Sequence, residues 1–583
     1  MRYSAAPQIQ GRSRGPDRNS AGSAQPLRPT DDEVSVKASD LFVKCLEAEG
    51  VREIYGVPGE ENADFMISLE DSSIEFILTR HEQGAAFMAE VHGRLTGEPG
   101  VCLGTLGPGA TNLITGVADG NMDRAPLVCI TGQANVERQH KESHQYMDVV
   151  AMMRPVTKWA QSVIHPDNIP EVVRKAFKIA ATEKPGACLI ELPEDIADRD
   201  AATRPIAPER LRRPVPDDKI VDRVFECIRS ASCPVILAGN GTIRKRASVQ
   251  LRRFVETTGI GVLSTFMAKG CVDCDDERCL FTIGLQSKDH VSQAIDAADL
   301  VIAIGYDMVE YDPRLWNPDG DKRIVHIDFL PAEVDEEYRL EVEAVGDIAH
   351  TLWMLNERLA RDPLHFDLPQ QRAVRRKMLA DFAEYADDDT EGSIRPQKAV
   401  WDARQVLGPR DLLLSDVGAH KMWIARYYQC HEPDTCLIPN GFCSMGFALP
   451  GAIAASRVLP DRRVLAICGD AGFLMNVQEM ETARRLGSNL VVMVWEDHGY
   501  GLIEWKQQTQ FGRNTDLSFG NPDFPQLAAA FGWSGHRVER SRELRATLER
   551  AFAEPGPSLV AIPIDYRENL LLTARLGEIG GSL

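Results

Sequence analysis

The chain has 583 residues, of which 44% are hydrophobic and 26% are charged. This composition is typical of a globular protein rather than a disordered or fibrous one, and the length corresponds to several domains of ~100–200 residues each. The formal net charge of -21 argues against nucleic acid as a partner, because nonspecific binding to a phosphate backbone requires a basic surface. A small anionic ligand would therefore need a metal ion or local dipoles.

The sequence contains no segment that predicts membrane insertion or secretion. Its longest apolar stretches, such as LVVMVW at 490–495, are far shorter than the ~20 residues that span a bilayer. Residues 1–30 are rich in Arg, Ser, Gly and Pro and lack the apolar core of a secretory signal. We expect a disordered tail over 1–34, with an organelle transit peptide as the alternative. The 13 scattered cysteines favour reduced thiols in a cytoplasmic protein.

One cysteine cluster, CVDCDDERC at 271–279, breaks this scatter. Its CxxC spacing could hold zinc, but a structural zinc site takes four ligands, and neither a second CxxC nor an HxxxH lies nearby in the sequence. A solvated loop is the favoured interpretation, and a metal site is the alternative.

Short β-like runs alternate with helical stretches along most of the chain. They include EFILTRHE and PLVCITGQ before residue 200, PVILAGNG and DLVIAIGYD before about residue 350, and DLLLSDVG and VLAICGD after the breaker DDDTEGSIRP. This alternation is typical of parallel α/β structure. It predicts three parallel-sheet α/β domains over 35–200, 215–355 and 396–583, with a linker over 356–395.

Two aspartates of the third unit follow predicted strands. Asp470 follows VLAICG and Asp497 follows LVVMVWE, with Gly499 just beyond. Neighbouring strands of a parallel sheet end at the same edge, where ligands bind, so the two carboxylates and a loop carbonyl can meet. Magnesium prefers such oxygen ligands and often shares them with phosphates. Capping of the following helix is the alternative role for a strand-end aspartate.

Small residues surround the first of these aspartates. Gly469, Ala471 and Gly472 would allow a diphosphate to approach the backbone, and the helix that follows would offer its N-terminal amides to the phosphate oxygens.

The motif GDAGFLMN followed by WEDHGYG resembles the thiamine diphosphate motif of the pyruvate decarboxylase and acetolactate synthase superfamily. The resemblance implies that Asp470, Asp497 and the carbonyl of Gly499 hold Mg²⁺ on the diphosphate. The chain departs from the family pattern twice, since Ala471 replaces the usual second glycine and Glu496-Asp497 replaces the usual paired asparagines. Aspartate keeps a ligating oxygen, so we expect metal binding to survive.

The first unit also resembles this family. Its segments LTRHEQGAAFMAEVHGRLTG and TLGPGATNLITGVADG are similar to the pyrimidine-binding domain, which implies that Glu82 is the family's glutamate. A carboxyl group bonded to a ring nitrogen promotes the imino tautomer of the coenzyme, whose own nitrogen then removes the thiazolium proton. Without the resemblance, Glu82 is a helix-start carboxylate favoured by the helix dipole.

By the same resemblance, 35–200 is the pyrimidine-binding domain, 215–355 is a central Rossmann-like domain and 396–583 is the diphosphate-binding domain. The segment SDVGAHKMW resembles the part of the family that cradles the diphosphate, which implies contacts from Gly418 and His420. The segment CSMGFALPGAIAA implies that Met445 supports the bent coenzyme, with core filling as the alternative.

Two further segments, HKESHQYMDVVAMMRPVTKWA at 140–160 and IGYDMVEYDPRLWN at 304–317, resemble the catabolic, FAD-independent acetolactate synthases. This type joins two pyruvates to 2-acetolactate with loss of CO2, and its active unit is a homodimer, usually within a tetramer. His144 and Gln145 are candidate substrate contacts, with ordinary loop polarity as an equal alternative. Trp505 is offset by one position from the family's specificity tryptophan, which leaves the acceptor 2-oxo acid open.

The central unit predicts that FAD is absent. The strand end IGYDMVEYDP carries Asp307, Glu310 and Asp312 and no cation, so a diphosphate passing there would meet like charge. The loop GNGTIR has two glycines of a dinucleotide fingerprint but Arg244 in place of the third.

Two other functions stay open from the sequence. One is another 2-oxo acid carboligase or decarboxylase of the same superfamily. The other is a non-catalytic regulatory paralogue that binds a nucleotide in the central domain, against which the intact Glu82, Asp470 and Asp497 argue.

Overall fold

The structure is a computed structural model that describes residues 35–209, 213–244, 246–285 and 288–578. The tail predicted for 1–34 lies outside the described residues. Within the described ranges, no helix is long and apolar enough to cross a membrane.

Three six-stranded parallel sheets, each packed against helices, form the body of the protein. The predicted α/β class with three parallel-sheet domains is thereby confirmed. The domain boundaries stay predictions, and in the structure the proposed linker contains a regular helix, Pro369–Ala383.

The N-terminal domain has the sheet order β3-β2-β4-β5-β7-β6 and a two-stranded antiparallel ribbon of β1 and β8. Its strands are β1 Val36–Lys37, β2 Glu53–Gly56, β3 Glu75–Leu78, β4 Gly100–Gly104, β5 Leu127–Gln133, β6 Trp159–Ser162, β7 Ala187–Pro193 and β8 Asp200–Ala201. Its helices are α1 Ala38–Ala48, α2 Ala63–Glu70, α3 Glu82–Thr96, α4 Pro108–Met122, α5 Val149–Met153, α6 Ile169–Ala181 and α7 Glu194–Ala197.

The central domain has the sheet order β11-β10-β9-β12-β13-β14. Its strands are β9 Pro234–Ala238, β10 Val262–Ser264, β11 Cys279–Thr282, β12 Leu300–Ile304, β13 Arg323–Asp328 and β14 Leu340–Val345. Its helices are α8 Asp218–Arg229, α9 Ala247–Thr258, α10 Ser292–Asp296, α11 Pro313–Trp316 and α12 Ile348–Arg361, and α13 Pro369–Ala383 follows.

The C-terminal domain has the sheet order β16-β15-β17-β18-β20-β19. Its strands are β15 Leu412–Ser415, β16 Cys436–Leu437, β17 Val464–Gly469, β18 Val491–Glu496, β19 Ser534–Arg537 and β20 Ser558–Pro563. Its helices are α14 Pro396–Val406, α15 Ala419–Tyr427, α16 Ala448–Val458, α17 Asp470–Met475, α18 Glu479–Leu486, α19 Gly501–Phe511, α20 Phe524–Ala530, α21 Leu544–Ala553 and α22 Arg567–Glu578.

The central strands of these sheets are continuous apolar runs because parallel strands are covered on both faces. In β17 and β18, Val464–Cys468 and Val491–Glu496 are buried throughout. Each sheet has a switch point beside its first strand, where the chain passes to the other side of the sheet: between β2 and β4, between β9 and β12, and between β15 and β17. Ligands of open α/β sheets bind outside the strand ends at such a switch point.

The N-terminal and C-terminal domains share one hydrophobic core. Helix α3 packs against α16, where the rings of Phe87 and Phe447 meet edge to face with centroids 5.8 Å apart. Each such aromatic pair contributes about 0.5–1.5 kcal/mol beyond its buried area. This contact fixes where α3, and with it Glu82 at its first turn, stands relative to the C-terminal sheet.

A buried ion pair ties the C-terminal domain to the central one. Arg426 of α15 is fully buried and donates to Asp289 through Nε and Nη2, at 2.6 and 2.9 Å, and to Asp381 of α13 at 2.7 Å. Removing one partner of such a pair would leave an uncompensated buried charge.

The solvated loop favoured for CVDCDDERC is wrong for its cysteines. Cys271 and Cys274 are buried, and Cys279 begins strand β11. The local sequence could not show this, because what covers the two buried thiols comes from the rest of the fold.

Candidate active site

The switch point of the C-terminal sheet gathers acidic side chains from three strand ends. Asp416 follows β15, Asp470 follows β17 and Asp497 follows β18. The register of β17 with β18 aligns Gly469 with Trp495, so both strands end at the same level.

Asp470 is almost completely buried and its carboxylate is held by backbone and side-chain donors. Its Oδ2 accepts hydrogen bonds from the backbone N–H of Asp497 at 3.2 Å and of His498 at 2.8 Å, and from the side-chain amide of Asn521 at 2.7 Å. Its Oδ1 accepts from the N–H of Ala471 at 2.8 Å. One oxygen thus fixes the loop after β18, while the other points toward the first turn of α17.

Asp497 lies beside this carboxylate. Burial, and next the charge of Asp470, raise the pKa of Asp497 to about 8. Two carboxylates in one partly buried site resist joint ionisation unless a cation neutralises them. The loop can bring them together because position 501 is glycine: a Cβ there would lie 2.4 Å from Oδ2 of Asp497.

The neighbouring Glu496 does not take part in this group. Its carboxylate binds the guanidinium of Arg537 at 2.5 and 3.2 Å. Of the two acidic residues that replace the paired asparagines of the family, only Asp497 faces Asp470.

His420 lies in the first turn of α15, close to Gly418 and Gly469. A Cβ on Gly418 would meet the imidazole at 2.7 Å and one on Gly469 would meet it at 3.4 Å. The ring is buried, and its Nε2 has no hydrogen-bond partner among the described residues. Burial lowers the pKa of His420 to about 3, so the ring is neutral at physiological pH and can offer a hydrogen bond without charge.

Asp416 organises the segment that contains Met445. Its Oδ1 accepts from the N–H of Val417 at 2.7 Å and from that of Gly446 at 2.9 Å, and Asn476 donates to the carbonyl of Gly446 at 2.8 Å. Burial raises the pKa of Asp416 to about 6. Met445 itself is half-buried in the loop between β16 and α16.

Position 472, in the first turn of α17, is closely packed against Asp416. A Cβ on Gly472 would lie 3.2 Å from the carboxylate carbon of Asp416. Ala471, the departure from the family pattern, is accepted because φ is positive at neither 471 nor 472.

Glu82 begins helix α3 in the N-terminal domain. His81 caps the helix, its Nδ1 accepting from the N–H of Gln83 at 3.1 Å. The Glu82 side chain is buried, and its Oε2 accepts from the side-chain amide of Asn112 at 2.9 Å. A Cβ on Gly109 would lie 3.3 Å from its other oxygen, Oε1.

His144 and Gln145 lie in the exposed loop that follows β5. Gln145 has a φ of 57°, a conformation that costs a residue other than glycine about 1–3 kcal/mol and is frequent at functional sites. Its carbonyl lies 2.6 Å from where a Cβ on Gly107 would be. The loop therefore borders the same Gly107–Gly109 turn that packs against Glu82.

Glu479 of the C-terminal domain holds the backbone that precedes Glu82. This buried carboxylate of α18 accepts from the N–H groups of Arg80 at 3.1 Å and His81 at 3.0 Å, and from the hydroxyl of Thr482 at 2.7 Å. Burial raises the pKa of Glu479 to about 7. Among the described residues of one chain, the side-chain hydrogen bonds of Glu82 and those of Asp470 share no residue.

The switch point of the central sheet is filled by the protein's own side chains. Glu310 is buried and its Oε1 accepts from the backbone N–H of Asn240 at 2.9 Å and from its side-chain amide at 2.6 Å, while the Thr265 hydroxyl donates to Oε2. Burial raises the pKa of Glu310 to about 7.

The sequence analysis predicts that no cation lies at the end of β12, and for Asp307 this prediction is wrong. Arg124 donates to its Oδ2 at 2.8 Å, and the ammonium group of Lys184 lies 3.7 Å from the same oxygen. Both cations belong to the N-terminal domain, so the local sequence of the strand end could not reveal them. Asp312 pairs with Arg314 at 2.7 Å.

Comparison with known families matches all three domains. The N-terminal, central and C-terminal domains of thiamine pyrophosphate enzymes match residues 36–152, 221–355 and 416–562, and the first and last are described as binding domains for this coenzyme. The catabolic acetolactate synthase of Raoultella terrigena is 38% identical over 94% of this chain and 99% of its own length. The acetolactate synthase of Bacillus subtilis is 34% identical over 93% and 95%, and acetolactate synthase 1 of Nicotiana tabacum is 33% identical over 92% and 83%.

The fold, the site and these matches define a thiamine-diphosphate-dependent enzyme. The chain belongs to the acetolactate synthase family. The family expected from the GDAGFLMN and WEDHGYG motifs is confirmed.

Three residues of this site escaped the sequence analysis: Asp416, Glu479 and Asn521. Asp416 stood in a quoted motif, directly after a predicted strand, and could have been found by that position. Asn521 lies 51 residues beyond Asp470 and Glu479 contacts a segment 399 residues away, so nothing in the local pattern distinguishes either from an ordinary polar residue.

We expect His420 to make the coenzyme-free protein acid-sensitive. Its native pKa of about 3 lies below its ordinary value of 6.5, so between these pH values the unfolded chain binds a proton that the native state does not. Stability is therefore lost as the pH falls below 6.5, by about 2 kcal/mol between pH 7 and pH 5. In His420→Gln this loss should shrink, as measured by thermal unfolding at both pH values.

The exposed His140 provides the matched control, since His140→Gln should follow the parent protein at both pH values. Equal acid sensitivity of His420→Gln and the parent would contradict a permanently neutral imidazole.

Proposed function

We propose that the protein condenses two molecules of pyruvate to 2-acetolactate with release of CO2, using thiamine diphosphate and Mg²⁺. The observation that carries this proposal is the pairing of Asp470 with Asp497 beside the glycine-lined start of α17, at the switch point of the C-terminal sheet. The acetolactate synthase names of the relatives support the choice of reaction.

The acidic pair suits a divalent cation. A cation between Asp470 and Asp497 would relieve the repulsion that raises the pKa of Asp497. Mg²⁺ takes oxygen ligands and keeps places for phosphate oxygens, so these two carboxylates with the carbonyl of Gly499 are a sufficient protein contribution. Asn521 positions the carboxylate of Asp470 by donating a hydrogen bond to its Oδ2.

The surroundings of the pair suit a diphosphate. The unpartnered Nε2 of His420 is a buried polar atom that needs a ligand. Gly418, Gly469, Ala471 and Gly472 give access to backbone N–H groups at two helix starts, which favour anions. We assign Met445, held by Asp416 through Gly446, to the support of the coenzyme.

Thiamine diphosphate, when bound, supplies a thiazolium carbon that adds to a 2-oxo acid and accepts the electrons released with CO2. The task of Glu82 is to hold a proton at a ring nitrogen of the coenzyme. Its burial and the hydrogen bond from Asn112 fix the carboxylate in one orientation, and Glu479 fixes the backbone from which it projects.

His144 and Gln145 are proposed to contact pyruvate. The strained backbone of Gln145 beside Gly107 supports this proposal, because such strain is frequent where a side chain must be held in one position for function. The acceptor stays open because Trp505 is offset by one position from the family's specificity tryptophan; its indole N–H donates to Thr573 at 2.7 Å.

We propose a homodimer as the minimal active unit, in which Glu82 of one subunit serves Asp470 of the other, with a tetramer as the full assembly. The separate hydrogen-bond environments of the two residues within one chain support this arrangement. Two-fold symmetry then provides two equal sites. A cytoplasmic location is supported by the 13 free cysteines.

Product analysis tests the reaction. With pyruvate, Mg²⁺ and thiamine diphosphate, we expect acetolactate and CO2, because Asp470 and Asp497 can hold the metal diphosphate. Chromatography of the products separates acetolactate from acetaldehyde, the product of simple decarboxylation. Acetaldehyde alone, or turnover only with a larger 2-oxo acid, would favour another member of the superfamily.

Two substitutions should fail in different ways. Asp470→Ala should lose coenzyme binding and activity, since it removes the metal carboxylate. Glu82→Gln should retain coenzyme, because the proposed anchors lie in the C-terminal domain, yet slow hydrogen–deuterium exchange at the thiazolium carbon by ~10²–10⁴-fold. Coenzyme retention is measured by equilibrium dialysis and exchange by NMR.

Mixing the two inactive proteins separates a shared site from a site within one chain. Subunit exchange should restore part of the activity in dimers that combine an intact Glu82 with an intact Asp470. Persistent inactivity after proven exchange would contradict the dimer, and normal proton exchange in Glu82→Gln would remove that residue from the mechanism.

We propose that the enzyme works without FAD. In the central domain, the carboxylate of Glu310 occupies the N–H of Asn240 in the Gly-Asn-Gly loop, where a dinucleotide phosphate would otherwise accept. Asp307 is already paired with Arg124 and Lys184, so these cations are engaged by the protein. A flavin diphosphate would have to displace both arrangements.

The visible spectrum tests this proposal. Protein purified without added cofactors should lack flavin absorbance, and acetolactate formation should be unchanged when FAD is added. Stoichiometric bound flavin, or activity that appears only with FAD, would overturn it. Glu310→Gln provides a further comparison, because the amide keeps the hydrogen bond from Asn240 but removes the charge that opposes phosphate.

A further inference from the structure

A mixed group of thiol, imidazole and carboxylate side chains lies where the central domain meets the C-terminal domain. Cys274 is buried, and its Sγ lies 3.5 Å from Nδ1 and 3.7 Å from Nε2 of His431. Nδ1 of His431 lies 3.0 Å from Oδ1 of Asp273 and 3.6 Å from Oδ2 of Asp275. One ligand atom from each of these four residues lies within 4.8 Å of the others.

These distances suit a small tetrahedral ion. Zinc bonds of ~2.0–2.3 Å place a sulfur and a nitrogen ligand ~3.5 Å apart and a nitrogen and an oxygen ligand ~3.4 Å apart. The separations from His431 to Cys274 and to Asp275 are already close to these values. The His431–Asp273 contact, now a hydrogen bond, must lengthen, and the remaining ligand pairs lie within 4.8 Å.

The backbone around the group is fixed independently of any ion. The N–H of Cys274 donates to the carbonyl of Cys430 at 3.0 Å, and Arg375 donates to the carbonyl of Cys274 at 2.8 Å. Arg252 donates to the carbonyl of His431 at 2.7 Å. The ligands therefore project from two chain segments that already lie next to each other.

The neighbouring Asp276 is not counted among the ligands, because its carboxylate is already bound to an arginine. Asp276 binds the guanidinium of Arg278 through both carboxylate oxygens, at 2.6 Å each. The side chains of His431, Asp273 and Asp275 remain 26%, 42% and 81% exposed, so an ion can enter from solvent while Cys274 forms the floor of the site.

We propose that Cys274, His431, Asp273 and Asp275 form a zinc site that joins the central domain to the C-terminal domain. One sulfur, one nitrogen and two carboxylate oxygens are ligands that zinc accepts, whereas Mg²⁺ and Ca²⁺ prefer oxygen alone. On binding, the Cys274 thiol loses its proton to solvent as the sulfur–metal bond forms, and neutral His431 donates a ring-nitrogen lone pair. None of the four residues belongs to the proposed coenzyme site.

Three of the four ligands, Asp273, Cys274 and Asp275, lie in the motif CVDCDDERC. The sequence near this motif holds no further CxxC or HxxxH that could complete a zinc site. The structure supplies His431 from 157 residues away. Cys271, the other cysteine of the motif, is not among the four grouped ligands.

Cobalt spectroscopy tests the site without reference to activity. Full-length protein is stripped with a chelator and titrated with Co²⁺ in excess Mg²⁺. We expect a thiolate-to-cobalt charge-transfer band in the near ultraviolet and visible bands of tetrahedral cobalt, both removed by Zn²⁺. Cobalt at Asp470 and Asp497 would have oxygen ligands and no thiolate band, so the test succeeds or fails independently of the proposed function.

Matched variants assign the band. Cys274→Ser should abolish it, and His431→Gln, at a side chain that is 26% exposed, should weaken zinc binding by about 100-fold. Cys233→Ser, which changes a cysteine elsewhere in the central domain, should leave the band intact. Absence of the band in the parent protein, its persistence in Cys274→Ser, or unchanged zinc affinity in His431→Gln would overturn the proposal.

Discussion

The carboxylate of Asp470 is the constraint on which the candidate site depends. Its Oδ2 accepts hydrogen bonds from the backbone N–H groups of Asp497 and His498 and from the side-chain amide of Asn521. One atom at the end of β17 therefore holds both the loop after β18 and a segment that is distant in sequence. Hydrogen bonds to a charged acceptor are stronger than neutral ones, at about 1.5–3 kcal/mol each. The geometry of the site is therefore set before any ligand arrives.

This arrangement places Asp497 where burial and the neighbouring carboxylate of Asp470 both disfavour its negative charge. The raised pKa of Asp497 shows that the protein tolerates an unfavourable interaction at this position, as is frequent at functional sites. A structure selected only for stability would put a neutral residue there. The buried Nε2 of His420, which has no hydrogen-bond partner among the described residues, is a second unfavourable feature near the same strand ends, and the proposed metal-bound diphosphate would relieve both.

The three domains use one sheet architecture in three ways. At its switch point the C-terminal sheet presents Asp416, Asp470 and a glycine-lined helix start. The N-terminal sheet presents Glu82 against a glycine-containing turn. The central sheet closes its switch point with its own Glu310. The N-terminal and C-terminal sheets share one strand order and the central sheet has another, but it is the residues at the strand ends that decide the chemistry.

The sequence by itself determined the fold class and the family, and it predicted the centre of the candidate site. Continuous apolar runs identify parallel strands because these are buried on both faces, and Asp470, Asp497 and Glu82 stand at positions that follow strands or begin a helix. Contacts between distant segments were decided only by the tertiary structure: Asn521 on Asp470, Glu479 on the start of α3, Arg124 on Asp307 and His431 on Cys274. The physical reason is that a local pattern reports which face of an element is buried, whereas a polar side chain's partner depends on which elements the packed sheets bring together.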